Sequence, residues 1–113
     1  MVQYLLVDTD ILIDVGRGIN VAINRLQSEA KNSTLAISTI TEMELIVGFC
    51  NKVKLQQLRK FLRYYPIFKV NESICDQAIE LLSKYRLSHG LLIADAFIAA
   101  TAIVINAPLL SKN

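Results

Sequence analysis

The chain has 113 residues, 53% of them hydrophobic, and a formal net charge of +2. That length supports one domain around one core, and that composition excludes an intrinsically disordered chain. The small charge does not point to a nucleic-acid coat but leaves room for a local basic stripe.

Val2 to Val7 is an apolar run, rich in branched and aromatic residues, that predicts a short buried strand. Asp8 falls at its end. Thr9 and Asp10 both suit a helix N-cap, and Ile11, Leu12 and Val15 continue at helical spacing until Gly16-Arg17-Gly18 stops them. Asn20 is placed to cap a second helix carrying Val21, Ile23 and Leu26. Leu35 to Ile37 predicts a second strand. Ser38-Thr39 then opens a third helix, with Thr39 and Glu42 at capping-box spacing. From Met43 to Phe49 that helix is apolar nearly all round apart from Glu44, which predicts burial. Asn51 caps a fourth helix with Leu55, Leu58 and Leu62 on one face. Lys52, Gln56, Arg59 and Arg63 form a mostly basic stripe along it, and Tyr65-Pro66 ends it. Ile67 to Val70 predicts a third strand. Asn71 or Ser73 opens a fifth helix that carries Ile74, Ala78, Leu81, Leu82 and Tyr85 on one face and stops at Gly90. Leu92 to Ile105 is the last helix, and Pro108 to Leu110 a fourth strand.

Strands alternating with single helices or helix pairs predict an α/β layered fold around a mostly parallel sheet of about four strands. The N-terminus lacks the charged region and small-residue cleavage site of a signal peptide. The most membrane-like stretch, Leu91 to Leu110, is interrupted by Asp95, Asn106 and Pro108. A spanning helix needs about 20 predominantly apolar residues, so this stretch reads as a buried helix and a strand, and no membrane partner is expected. Cys50 and Cys75 lie far apart with no CxxC pair, and the chain has one histidine, which argues against a zinc site and for two buried thiols in a reducing compartment, the cytoplasm.

Of ten acidic residues, three stand in the wrong surroundings. Asp8 leaves an apolar strand, Glu44 lies within Met43-Glu44-Leu45-Ile46-Val47, and Asp95 is the one charge between Leu91 and Ala107. A carboxylate facing an apolar interior is costly unless it is paired or bound to a metal. In a parallel sheet Asp8, Glu44 and Asp95 can converge over the strand C-termini, where ligands bind. Clustered carboxylates raise one another's pKa unless a cation intervenes, and a donor set of oxygens points to Mg²⁺ or Mn²⁺. Each has a simpler reading: Asp8 as an Asx cap, Glu44 as a solvated helix position, Asp95 as a helix cap. Asp10 reads as a cap, a metal contact or both, Glu42 as a capping-box residue, and Asp14 as a surface residue.

The stretch Leu6-Val7-Asp8-Thr9-Asp10-Ile11-Leu12-Ile13 resembles the opening motif of PIN-domain nucleases. Ile37 to Gly48 is similar to their second motif, in which the acid precedes Leu and stands four before Gly, selecting Glu44 over Glu42. Ala94-Asp95-Ala96-Phe97-Ile98-Ala99-Ala100-Thr101-Ala102 is similar to their third, the most specific of them. Ala107 to Asn113 looks like the start of the fourth. Order and spacing match over essentially the whole chain, and this size without added domains resembles a VapC-type toxin of a toxin–antitoxin pair.

The resemblance implies a three-layer α/β/α PIN-like fold over residues 1–113 and a Mg²⁺- or Mn²⁺-dependent endoribonuclease with catalytic acids Asp8, Glu44 and Asp95. Asp8 and Asp95 would ligate the metal, with Glu44 and Asp10 as further ligands, and Thr9, Ser111 and Asn113 would support the site. Position 10 is often Asn in that family and is Asp here. Relatives continue through a further acidic position and a last strand, whereas this chain stops at Asn113. Lys52, Arg59 and Arg63 are the candidate contacts to RNA phosphates, against the plainer reading of a solvated face. A cognate antitoxin covering the acidic site and a homodimer through the third and fourth helices are the expected partners.

Two rivals differ in chemistry. Asp8-Thr9-Asp10 also fits the nucleophile and acid of haloacid-dehalogenase-like phosphatases, but Leu12 stands where that motif wants Thr or Val and the later acidic pair is missing. An inactive scaffold that only binds an antitoxin or dimerises is the non-enzymatic rival, and it would bind no Mn²⁺.

Overall fold

A computed structural model describes residues 2–48 and 51–112. Four short strands, β1 (Tyr4–Val7), β2 (Thr34–Ser38), β3 (Ile67–Phe68) and β4 (Leu109–Leu110), form one sheet in the order β3-β2-β1-β4. Each pairing is parallel, with Leu5 opposite Leu35, Ile37 opposite Ile67 and Val7 opposite Leu110. The chain steps outward from β1 to β3, then returns to the other side of β1 for β4. The crevice between the C-terminal ends of β1 and β4 is therefore the topological switch point, the usual ligand position in such sheets. The Asp8 N–H donates to Leu110 O at 2.9 Å and ties the two strand ends together there.

Among the described residues six helices cover the sheet: α1 (Thr9–Gly16), α2 (Asn20–Ala30), α3 (Thr39–Gly48), α4 (Lys52–Leu62), α5 (Glu72–His89) and α6 (Ile93–Val104). Successive strand residues point to opposite faces. Leu5, Val7, Ile37 and Leu110 pack on one side against Ile11, Leu12, Leu26, Leu45, Leu58 and Leu62 from α1 to α4. Leu6 and Ala36 point the other way, onto Ile98 and Ala102 of α6. α5 forms the outside of that layer, its Ile74 and Ala78 against Ala96 and Ala100, whose small side chains let the helices approach. The sheet is thus a middle layer between two helical ones, as expected.

Several helix ends differ from the sequence reading. Asp8, not Thr9 or Asp10, caps α1: its carboxylate accepts the Thr9 N–H at 2.7 Å, and Thr9 is already helical. Asn20 is the first residue of α2 rather than its cap, and Ile19 before it makes no side-chain bond. Ser38 caps α3 by accepting the Thr41 N–H at 3.1 Å, while the Thr39 hydroxyl donates to Phe68 O, so the Thr39–Glu42 capping box is not used. Asn51 and Asn71 cap α4 and α5 as expected. α5 ends on left-handed Gly90. α6 ends on Asn106, also left-handed, with Ala107 N–H donating back to Ala102 O at 2.9 Å.

Burial of α3 is the main departure. Leu45 faces the core at 3% exposure, but Met43 is 54% and Val47 84% exposed. A helix on the outside of a sheet has one covered stripe, and an apolar sequence all round does not change that geometry. Phe49 and Cys50 lie outside the described residues. Asp14, expected at the surface, is buried and pairs with Lys112 at 3.0 Å. Cys75 is a half-buried free thiol. Among the described residues no helix is long and apolar enough to cross a membrane.

Candidate active site

Each functional side chain is delivered by a different element. Asp8 follows β1 and is half-buried. Asp10, in the first turn of α1, is exposed. Glu44 sits on the second turn of α3, half-buried. Asp95 is the third residue of α6, exposed, where the helix dipole favours a negative charge. No side chain caps α6, so Asp95 is not a cap residue. Because α6 runs back along the sheet before β4, its start lies at the same edge as Asp8.

The charges of the other three carboxylates all act on Asp8. Burial pushes the Asp8 carboxyl above its ordinary value, the Thr9 N–H pulls it down, and the charges of Asp10, Asp95 and Glu44 push it up again. Among the described residues no three acidic, histidine or cysteine side chains are already arranged to enclose an ion. The donor set still fits a hard divalent cation: it is all oxygen, mutually repulsive, and includes two exposed aspartates, Asp10 and Asp95.

Beneath Glu44 lies a row of buried hydroxyls. Thr9 Oγ1 is 2.6 Å from Glu44 Oε1 and 3.0 Å from Thr41 Oγ1, and Ser38 Oγ is 3.4 Å from Thr41 Oγ1. Thr9, Ser38 and Thr41 are all buried. Thr9 was legible from the sequence as part of the site; Ser38 was read only as opening α3, and Thr41 was not singled out, because nothing beside it in the sequence marks its burial.

A cleft of about 550 Å³ opens beside Glu44 between α1, α3 and α4, and its wall includes Arg17, Lys54 and Phe61. Neither Arg17 nor Lys54 stood out in the sequence, since Lys54 lies off the helical stripe. Lys52, Arg59 and Arg63 are exposed but outside this cleft. Ser111 follows β4, and its carbonyl accepts from Arg25 Nη1 at 3.2 Å. Asn113 lies outside the described residues.

Fold and edge together define an α/β protein with an acidic site at the switch point of a parallel sheet. Within that class the chain belongs to the PIN domain family, whose family model matches residues 5–113. It is 34% identical over 110 residues to Ribonuclease VapC10 of Mycobacterium tuberculosis, covering 96% of this chain and 82% of that protein. Ribonuclease VapC19 of the same organism is 36% identical over 110 residues, covering 96% and 87%. Among solved structures, a toxin–antitoxin complex from Klebsiella pneumoniae superposes with a TM-score of 0.83 at 34% identity, covering 96% of this chain and 86% of that one. VapBC2 from Rickettsia felis, bound to a DNA fragment from their promoter, gives 0.80 at 30% identity, covering 98% and 88%. Membership of this family sets aside the phosphatase reading of Asp8-Thr9-Asp10.

Proposed function

We propose that this chain is a divalent-cation-dependent endoribonuclease of the VapC kind, the toxin of a toxin–antitoxin pair. The observation that carries the reading is the set Asp8, Glu44 and Asp95, carried by three elements toward the switch point of a PIN-family sheet, with Asp8 raised first by burial and then by the charges of Asp10, Asp95 and Glu44. Relatives that carry the name Ribonuclease VapC and structural neighbours solved as toxin–antitoxin complexes support it.

Asp8 and Asp95 would hold the ion, with Glu44 and Asp10 as further oxygen donors. A divalent cation there supplies charge neutralisation on the phosphate and acidifies the attacking water. The protein's own part is preorganisation. Asp8 is fixed by its bond to the Thr9 N–H, and Glu44 by the Thr9 hydroxyl. Exposed Asp10 and Asp95 give the site its solvent-facing side, where Asp10 can orient a water and accept its proton. The basic wall of Arg17 and Lys54 offsets the acidic cluster and gives a phosphate backbone somewhere to lie.

A cognate antitoxin would neutralise the acidic site with a basic side chain. The exposed apolar face of Met43, Ile46 and Val47 is assigned to a homodimer contact, and the cytoplasm is the compartment that suits the free thiol. Cleavage of an RNA pool with Mn²⁺ tests the whole reading. Outer partners of metal ligands cost about 10–100-fold when removed, so losing a ligand in Asp8→Asn or Asp95→Asn should cost at least about 100-fold with the fold intact. Undiminished cleavage by both variants overturns the assignment. Failure of the intact protein to bind Mn²⁺ in a calorimeter favours the inactive scaffold.

A further inference from the structure

Glu44 does not stand alone on α3. Its Oε1 accepts a 2.6 Å hydrogen bond from Thr9 Oγ1, a short, charge-assisted contact. An ionised carboxylate has no proton to give, so the single Thr9 hydroxyl proton goes to Glu44. Thr9 can then meet Thr41, 3.0 Å away, only as acceptor. Thr41 spends its own proton on Thr9 and in turn accepts from Ser38, 3.4 Å away. Ser38 Oγ is itself held by the Thr41 N–H at 3.1 Å, which is also the cap of α3. Every proton in the row is thereby assigned, and the row has one direction: Ser38 to Thr41 to Thr9 to Glu44. All three hydroxyls are buried, so water does not compete for them, and among the described residues no buried side-chain nitrogen or oxygen lacks a partner.

We propose that Thr41 is a positioning residue for Glu44, acting through Thr9. Its hydroxyl keeps Thr9 turned toward the carboxylate, so that Glu44 is fixed in one orientation before any cation arrives. The row joins the C-terminal end of β2, the start of α3 and the start of α1, the three pieces of backbone whose relative placement sets the Asp8–Glu44 spacing. This inference rests on the reading of Asp8, Glu44 and Asp95 as a divalent-cation site.

Calorimetric titration of Mn²⁺ into the full chain tests it, with melting temperatures recorded alongside. Thr9→Val should raise the Mn²⁺ dissociation constant by about 10–100-fold, the usual cost of losing a ligand's hydrogen-bond partner. Thr41→Val removes the hydroxyl at nearly constant volume and should raise it by roughly threefold or more, while Thr41→Ser restores wild-type affinity. The double variant should bind no more weakly than Thr9→Val alone, because the two side chains act in series. A purely structural role for Thr41 predicts instead a lower melting temperature with unchanged Mn²⁺ affinity, and that result overturns the proposal. So does a double variant whose loss is the product of the single losses. If the wild-type chain binds no Mn²⁺, the cation-site reading falls and this proposal with it; if it binds Mn²⁺ and Thr41→Val matches it, only the proposal falls. Should Thr41→Val not fold, the hydroxyl protons of Thr9 and Thr41 in the unaltered protein decide by NMR. Slow exchange with solvent supports the directed row, and fast exchange overturns it.

Discussion

Asp8 carries two loads that oppose each other. It caps α1 through the Thr9 N–H, which favours its charged form, and it sits half-buried among Asp10, Asp95 and Glu44, which disfavours it. Burial and repulsion prevail, and its carboxyl is raised above the ordinary 3.8. A carboxyl with a raised pKa in the fold gives its full stabilisation below the unfolded value, and that contribution is lost as pH rises through the folded value. Ionising Asp8 in the metal-free fold therefore costs stability. Asp8→Asn keeps the capping oxygen and removes the charge. In chelator at pH 7 it should melt at a higher temperature than the unaltered chain, and the gap should close once pH falls below 3.8, where both side chains are neutral. Saturating Mn²⁺ should reverse the order. A ligand at 100 times its dissociation constant stabilises by about 2.7 kcal/mol, and the variant forgoes most of that. Equal melting temperatures for the two proteins in chelator at pH 7 would show that the repulsion at Asp8 is relieved within the protein itself.

At the scale of elements, α3 separates what a sequence pattern can resolve from what it cannot. Its existence, its start after Ser38 and the placement of Glu44 were all legible, because a strand–polar–helix transition is a local signal. Which way it faces was not, because residues 43 and 45 to 47 are all apolar and periodicity has nothing to contrast. The structure turns Thr41 and Leu45 inward and leaves Met43 and Val47 in solvent. The same limit explains Asp14: its partner Lys112 is distant in sequence, and burial that depends on such a pairing leaves no mark on its neighbours. Asp8, Glu44 and Asp95 were legible for the converse reason, since a lone charge in an apolar run is conspicuous without knowing the fold. Two variants of α3 separate its faces. Leu45→Ala should destabilise the chain by about 2–5 kcal/mol in a denaturant melt, as large-to-small core changes do. Val47→Asp should change that stability by no more than about 0.5 kcal/mol, as exposed sites do, yet convert the proposed dimer to monomer in light scattering. A Val47→Asp protein that keeps its dimer mass would remove α3 from the interface.

Across the whole molecule, the net charge of +2 hides a separation of signs. The acidic cluster occupies the switch-point edge, Arg17 and Lys54 line the cleft beside it, and Lys52, Arg59 and Arg63 run along an exposed stripe outside that cleft. A phosphodiester must reach the carboxylates with its flanking phosphates carried by cations. The cleft pair is beside Glu44, whereas the stripe belongs to a different surface of α4. Salt dependence tells these surfaces apart, because each phosphate contact to a single strand contributes about 0.7 to the slope of log affinity against log salt. Binding is measured on the Asp95→Asn protein, which the proposed metal site expects to be catalytically silent, to avoid cleavage during the measurement. On that background, Arg17→Gln with Lys54→Gln should lower the slope by about 1.4, two contacts' worth. Charge reversal at Arg59 and Arg63 should leave it unchanged if the strand stays in the cleft. The opposite pattern, a flattened slope from the stripe alone, would lay the RNA along the outer face of α4 and require it to enter the acidic site from that side.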